Sequence, residues 1–147
     1  MNAGHVFLCS VLTLSAVRAT AGEACLDNFA SEGSFLSGRT YKTWAIVPGV
    51  RQGEAFSRAY AFTAEHGFTV SSADKEAGVI SAAQSVSYGN GKTAPLSVTL
   101  QQRPDGVRVA LTYGTSGGVS SPEDAIQRHF CLTIASVANG ATKTNAP

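Results

Sequence analysis

The chain of 147 residues carries 11 basic and 10 acidic side chains, and 44% of its residues are hydrophobic. A chain this close to neutral lacks the excess of positive charge that binds nucleic-acid phosphates or attaches a polybasic segment to a membrane. We therefore expect no nucleic-acid partner. The length is that of one ordinary domain with a hydrophobic core of its own.

The beginning of the chain has the pattern of a cleaved export signal. Residues 6–17 form an apolar run shorter than the roughly 20 residues needed to span a bilayer. They are followed by Ala19-Thr20-Ala21, the small-x-small pattern that signal peptidase recognises. We predict a signal peptide over residues 1–21, no integral membrane segment after cleavage, and a periplasmic or secreted location. A buried N-terminal helix is the alternative.

The three cysteines favour one disulfide in the mature chain. Cys9 would leave with the signal peptide, so that Cys25 and Cys131 remain. Two cysteines in an oxidising compartment usually pair. A Cys25–Cys131 bridge would close a loop of about 100 residues, which the chain-entropy model values at about 4–5 kcal/mol.

Regular elements are predicted from residue 40 onward. Alternating and β-branched runs indicate strands, and apolar residues at helical spacing indicate two helices. Ser121 suits the N-cap of the second helix and Pro122 its first position. The predicted strands are 40–47, 68–72, 79–86, 96–100 and 107–113, and the predicted helices are 52–65 and 122–139.

This order, β-α-β-β-β-β-α, predicts an α+β fold. We expect an antiparallel sheet of about five strands with both helices packed on one face, a two-layer sandwich. The single domain would span residues 40–139. An N-terminal arm over residues 22–39 would precede it, lying over the core and held by Cys25, and a disordered tail over residues 140–147 would follow.

One segment matches the nucleophile-elbow pattern of hydrolases. Gly114-Thr-Ser116-Gly-Gly118 reads G-x-S-x-G, and Asp124 and His129 follow in hydrolase order. An elbow needs a helix directly after the serine and a parallel sheet, and neither is predicted here. Asp124 and His129 would lie about 140° apart around one helix. The glycine-rich segment is therefore interpreted as a loop, and no catalytic residue is assigned.

Nucleotide and metal chemistry receive no better support. Gly91-Lys92-Thr93 resembles the end of a phosphate-binding loop, but the earlier glycine and the following helix of that motif are missing. His66 and His129 stand apart, without the spacing of metal ligands. We predict no cofactor and no metal. His66 is interpreted as a helix-end residue and His129 as a flank of the second helix.

The first predicted strand carries two large aromatic residues. Tyr41 and Trp44 are interpreted as core or rim residues, with stacking of a ligand as the alternative.

The passage from the first helix into the following hairpin resembles a known class of domain. Residues 59–70 end a helix in Gly-Phe-Thr-Val, and residues 74–80 read Asp-Lys-Glu-Ala-Gly-Val-Ile. Both segments are similar to small bacterial envelope domains of the helix-grip type, such as those of the Bam-complex lipoprotein C. The resemblance covers residues 40 to about 137 and implies a periplasmic binding or assembly module without catalysis. It assigns no functional residue.

The sequence therefore predicts an exported, non-catalytic binding or envelope-assembly domain from a bacterium, with an envelope protein as partner. Loops often carry function, so candidate binding residues are placed in two loops, at Tyr88, Asn90, Lys92 and Ser116. One alternative is a carrier of a small apolar ligand with a cavity between helices and sheet. Another is a small hydrolase using Ser116 or His129. The sequence does not determine the oligomeric state.

Overall fold

A computed structural model describes residues 20–87 and 91–139. The predicted tail and all but the last two residues of the predicted signal peptide lie outside this part of the chain. Three helices and six strands follow one another in the order α1 (Ala21–Asp27), β1 (Ala30–Ser34), β2 (Gly38–Val47), α2 (Gln52–Glu65), β3 (Thr69–Asp74), β4 (Val79–Ser85), β5 (Thr93–Arg103), β6 (Gly106–Gly114) and α3 (Glu123–Asn139).

The six strands form one open antiparallel sheet in the spatial order β1-β2-β6-β5-β4-β3. The strands from β3 to β6 are neighbours in sequence and in space, as a meander requires. The exception is the pairing of β2 with β6, in which Thr40 lies opposite Gly114 and Val47 opposite Val107. This pairing joins a strand from the first third of the chain to the last strand, inside the sheet and not at its edge.

Alternation along the strands separates a buried face of the sheet from an uncovered one. In β2, β5 and β6 every second side chain is buried, including Tyr41, Leu96 and Val109. The helices pack on that side, and α2 and α3 also contact each other. Their core residues include Phe56, Ala59, Phe130, Ile134 and Val137. The predicted placement of both helices on one face of an antiparallel sheet is therefore confirmed.

The number of elements differs from the prediction, because the segment predicted as an arm is regular. It contains α1, β1 and the start of β2, so the sheet has six strands rather than about five, and there are three helices rather than two. Strand β1 reads Ala-Ser-Glu-Gly-Ser and is exposed along its whole length at the edge of the sheet. Such a strand has no alternating apolar pattern, which is why the sequence did not reveal it.

Helix α1 begins within the last two residues of the predicted signal peptide. Thr20 is its N-cap, and a capping box joins Thr20 to Glu23: the Glu23 amide donates to Thr20 Oγ1 at 3.3 Å, and the Thr20 amide donates to Glu23 Oε2 at 2.8 Å. The helix contacts both β2 and α3. Cys25 is fully buried, and it forms the disulfide with Cys131 of α3.

The main helices keep close to their predicted bounds. Helix α2 has the predicted limits, Gln52–Glu65, and Gly67 after it adopts φ +85°, the left-handed conformation expected at a helix end. Helix α3 begins at Glu123, one residue later than predicted, so Pro122 rather than Ser121 stands in front of its first turn. Among residues 20–87 and 91–139, no helix combines the length and the apolar character needed to cross a bilayer.

Candidate functional site

The side of the sheet opposite the helices is not covered by any described element. We call it the open face. Because side chains alternate along a strand, it carries the residues between the buried positions of β2, β4, β5 and β6. Most of them are small or hydroxylated. The residues of the open face include Thr40, Lys42, Trp44, Ile46, Val79, Ser81, Ala83, Pro95, Ser97, Thr99, Gln101, Arg108, Ala110 and Thr112.

Trp44 is the largest side chain of the open face and is 38% exposed. Trp44 lies opposite Ala110 of β6. Arg108, two residues before Ala110 on the same face of β6, lies opposite Ile46. The Arg108 guanidinium carbon is 4.8 Å from the centre of the indole ring, a cation–π distance. The two side chains therefore hold each other in place on a face whose other residues are mostly small or hydroxylated.

Charge is divided unevenly between the two layers of the described structure. The three helices carry six acidic residues and two basic ones: Glu23, Asp27, Glu54, Glu65, Glu123 and Asp124 against Arg58 and Arg128. The strands and loops carry four acidic residues and seven basic ones: Glu32, Asp74, Glu76 and Asp105 against Arg39, Lys42, Arg51, Lys75, Lys92, Arg103 and Arg108. A nearly neutral chain thus folds into a negative helix layer, while the strands and loops of the described structure together are positive.

The two loops named from the sequence meet at one end of the sheet. The Lys92 ammonium lies 3.5 Å from the carbonyl oxygen of Gly117, next to Ser116. Ser116 is exposed and lies in the segment that links β6 to α3. The other two predicted binding residues, Tyr88 and Asn90, lie outside the described residues. Of the four predicted positions, the structure therefore brings Lys92 and Ser116 together.

The turn between β1 and β2 packs against the same end of the sheet. We call residues 34–37 the hairpin tip. Its two apolar side chains face solvent, Phe35 being 52% and Leu36 86% exposed. The backbone of the tip is held by the β6–α3 loop, because the Gly118 amide donates to the Phe35 carbonyl at 2.8 Å. No signal in the predicted loops pointed to this tip; a Phe-Leu pair in a Gly- and Ser-rich segment is the sequence feature that could have revealed it.

Two histidines and two phenylalanines form a cluster between α2, the start of β3 and α3. The rings of Phe62 and His66 stack at 3.8 Å, and His129 lies 5.0 Å from Phe68 and 6.4 Å from His66. Burial and, secondarily, the charge of His66 lower the pKa of His129, and its buried Nε2 has no hydrogen-bond partner. His66 Nδ1 lies 2.8 Å from the carbonyl oxygen of Phe62, in the last turn of α2. This contact is consistent with the interpretation of His66 as a helix-end residue. The described residues contain no group of three potential metal ligands.

A shallow groove of about 370 Å³ runs beside the disulfide, between α1 and α3. It is open to solvent and partly charged, with Leu26, Asp124, Gln127, Arg128, Cys131 and Leu132 along it. The apolar-ligand alternative predicted a cavity enclosed between the helices and the sheet. This groove lies instead on the outer surface of the helix layer.

The geometry around the G-x-S-x-G segment differs from that of a nucleophile elbow. Strand β6 ends at Gly114 in an antiparallel sheet, and α3 begins only at Glu123. Asp124 is paired with Arg128 at 3.4 Å on the surface of α3, whereas His129 faces the phenylalanine cluster. Among the described residues no hydrogen bond joins Ser116, Asp124 and His129, so the structure does not assemble a triad from them. Similarly, Gly91-Lys92-Thr93 leads into strand β5 and not into a helix.

Comparison with known proteins gives no family for the chain. No protein-family model matches it, and no curated protein matches it significantly. Similar solved structures include CalU16 from Micromonospora echinospora, at 10% identity, a TM-score of 0.39, and coverage of 76% of this chain and 97% of CalU16. Another is a DUF4468 family protein from Bacteroides ovatus, at 11% identity, a TM-score of 0.39, and coverage of 88% and 100%. Similarity at this level says nothing about activity.

Proposed function

We propose that the protein is an exported, non-catalytic binding or assembly domain of the bacterial envelope, and that its partner docks on the open face. Export is supported by the leader pattern and by the Cys25–Cys131 disulfide, since such bridges persist in oxidising compartments. The sequence resemblance to helix-grip envelope domains supports the binding or assembly role. The partner is a protein of the same compartment.

The observation that carries this proposal is the Trp44–Arg108 pair on an uncovered sheet. Tryptophan and arginine are the residues most often responsible for binding energy at protein interfaces. Here they lie 4.8 Å apart and hold each other in position, so less side-chain freedom is lost when a partner covers them. The surrounding serine, threonine and alanine side chains are short, so a partner can approach the backbone of the strands closely.

Charge indicates what kind of partner fits. Lys42 and Arg108 are on the open face, and the sheet layer as a whole has an excess of basic residues. Lys42 is paired with Glu32 at 3.2 Å at the edge of the face. A partner with an acidic surface would gain from this field in its rate of association and in its orientation. We therefore expect an acidic protein rather than a nucleic acid or a basic protein.

The proposal is tested with photocrosslinking in the native envelope. A photoreactive residue at Thr112, which is exposed next to the pair, should crosslink a partner that the same residue at Tyr60 does not. Tyr60 is a matched control because it is 41% exposed on the opposite, helical side. Trp44→Ala should remove the crosslinked species, since loss of a central interface residue costs about 2 kcal/mol or more, roughly a thirtyfold loss of affinity.

Two results would refute the assignment of the open face. One is the same set of crosslinked proteins from position 112 and from position 60. The other is a crosslinked partner that persists in Trp44→Ala and in Arg108→Ala, with both variants shown to be folded by circular dichroism. A signal that disappears at high salt in the wild-type protein supports the electrostatic part of the proposal.

A further inference from the structure

The hairpin tip presents two adjacent large apolar side chains at the apex of a convex turn. Leu36 is 86% exposed and Phe35 52%, which makes Leu36 the most exposed large hydrophobic residue of the described chain. Isolated exposed apolar residues are ordinary, whereas contiguous exposed apolar surface marks protein or membrane interaction sites. Nothing in the core requires them, because both point away from it.

The backbone under these side chains is rigidly built. Gly38 adopts φ +97°, and a Cβ there would lie 2.3 Å from the Thr115 carbonyl oxygen, so only glycine allows this close approach. A Cβ at Gly117 would likewise come within 2.2 Å of the Leu36 carbonyl oxygen. The Ser34 and Ser37 hydroxyls are 2.8 Å apart across the turn. The backbone of the hairpin tip is therefore held by contacts within the protein, without a binding partner.

One basic side chain stands beside the tip without a counter-charge. Lys92 contacts the carbonyl oxygen of Gly117, and no carboxylate of the described residues lies within ion-pair distance of its ammonium. Arg39, the other nearby cation, is paired with Glu123 at 3.5 Å. An apolar apex with a cation set behind it is complementary to a bilayer, whose acyl chains lie below its charged phosphates.

We propose that the hairpin tip inserts into an anionic lipid surface, with Phe35 and Leu36 entering the acyl boundary and Lys92 at the phosphates. The convex shape favours a bilayer over a protein, because a protein partner would need a matching apolar pocket. This contact is separate from the open face, so the two proposals stand or fall independently. It makes the domain peripheral to a membrane while its sheet remains available to a partner.

The first test is sedimentation of the oxidised protein with vesicles of phosphatidylethanolamine and phosphatidylglycerol. We expect binding that falls at least tenfold when Phe35 and Leu36 are both replaced by Ser. Replacement of Lys92 by Gln should weaken binding about fivefold with these vesicles and have no effect with neutral phosphatidylcholine. The matched control is Leu132→Ser, which removes a half-exposed leucine from α3 and should leave binding unchanged.

The second test places a fluorescent reporter at the tip. The chain has one tryptophan, Trp44, so Leu36→Trp in a Trp44→Phe background reports the tip alone. Its emission should shift to the blue with anionic vesicles and be quenched by brominated lipids, whereas Leu132→Trp in the same background should not respond. Absence of vesicle binding by the wild-type protein would overturn the proposal. Binding unaffected by the Phe35/Leu36 double variant, or an equal blue shift at position 132, would do the same.

Discussion

The disulfide should account for a large part of the stability of this fold. Cys25 and Cys131 are separated by 106 residues, and the chain-entropy model gives about 5 kcal/mol for a loop of that size. The structure adds a local reason. Helix α1 has seven residues and a single fully buried one, Cys25, and a helix so short does not persist on its own. Besides its packing, α1 is tied to β2 by two hydrogen bonds. Thr43 Oγ1 donates to the Cys25 carbonyl at 2.6 Å, and Nδ2 of Asn28, the C-cap residue, donates to the Trp44 carbonyl at 3.0 Å.

The perturbation is the double variant Cys25→Ala with Cys131→Ala, chosen because alanine adds no polar atom to a buried site. With a urea m-value of about 2 kcal/mol/M, a loss of about 5 kcal/mol lowers the unfolding midpoint by about 2.5 M. Trp44, the single tryptophan, reports the transition by fluorescence. Hydrogen exchange should show α1 losing protection first.

Reduction of the wild-type protein serves as the control, because it opens the bridge without changing side-chain volume. Its midpoint should fall to nearly the same value as that of the double variant. A shift smaller than about 0.5 M in both cases would refute the reasoning, since it would mean that packing of α1 alone holds the first and last helices together.

Three further predictions concern stability. Burial lowers the pKa of His129 from its usual 6.5, so just below pH 6.5 the unfolded chain binds more protons than the folded one. The contribution of His129 to the free energy of unfolding should therefore be fully present above pH 6.5 and decrease as the pH falls from 6.5 toward the folded-state pKa. Urea unfolding at a series of pH values should lose this decrease in His129→Phe but not in a surface variant. Phe130→Ala should cost about 3–5 kcal/mol, because the ring is 1% exposed in the core; a loss below 1 kcal/mol would contradict the packing. Gly38→Ala should cost about 1–3 kcal/mol, since its Cβ would lie 2.3 Å from the Thr115 carbonyl oxygen, while Gly49→Ala, at φ +72° in open space, should cost less in the same thermal melts.

The parts of the fold that the sequence predicts are those with a buried face. Helix α2 and strands β4, β5 and β6 place apolar residues at a regular period, because one side of each packs against the core. Strand β1 and helix α1 have no such pattern. The first is exposed along its length, and the second is held by a disulfide whose partner lies in the last helix. The structure of β1 therefore depends on its pairing with β2. Helix α1 has a local signal in the Thr20–Glu23 capping box, but its place against the core depends on the disulfide.

The candidate surfaces were harder to predict for a related reason. In β2 the inward residues Tyr41, Ala45 and Val47 alternate with Trp44 and Ile46, so both faces of the strand are apolar and the pattern does not say which one is covered. Only the pairing of β2 with β6 places Trp44 on the open face beside Arg108. The meeting of Lys92 with the 115–118 loop likewise depends on the sheet order.

The pairing of β2 with β6 has a consequence for how this chain is made. A polypeptide leaves a ribosome or a translocation channel with its N-terminus first. Strand β2 therefore emerges before its partner β6, which begins about 60 residues after β2 ends. Helix α3, which covers the core and supplies Cys131, emerges later still. Pairing of segments so distant in the chain is intrinsically slow. The domain should therefore stay unfolded and threadable until almost all of it has emerged, and fold only on release.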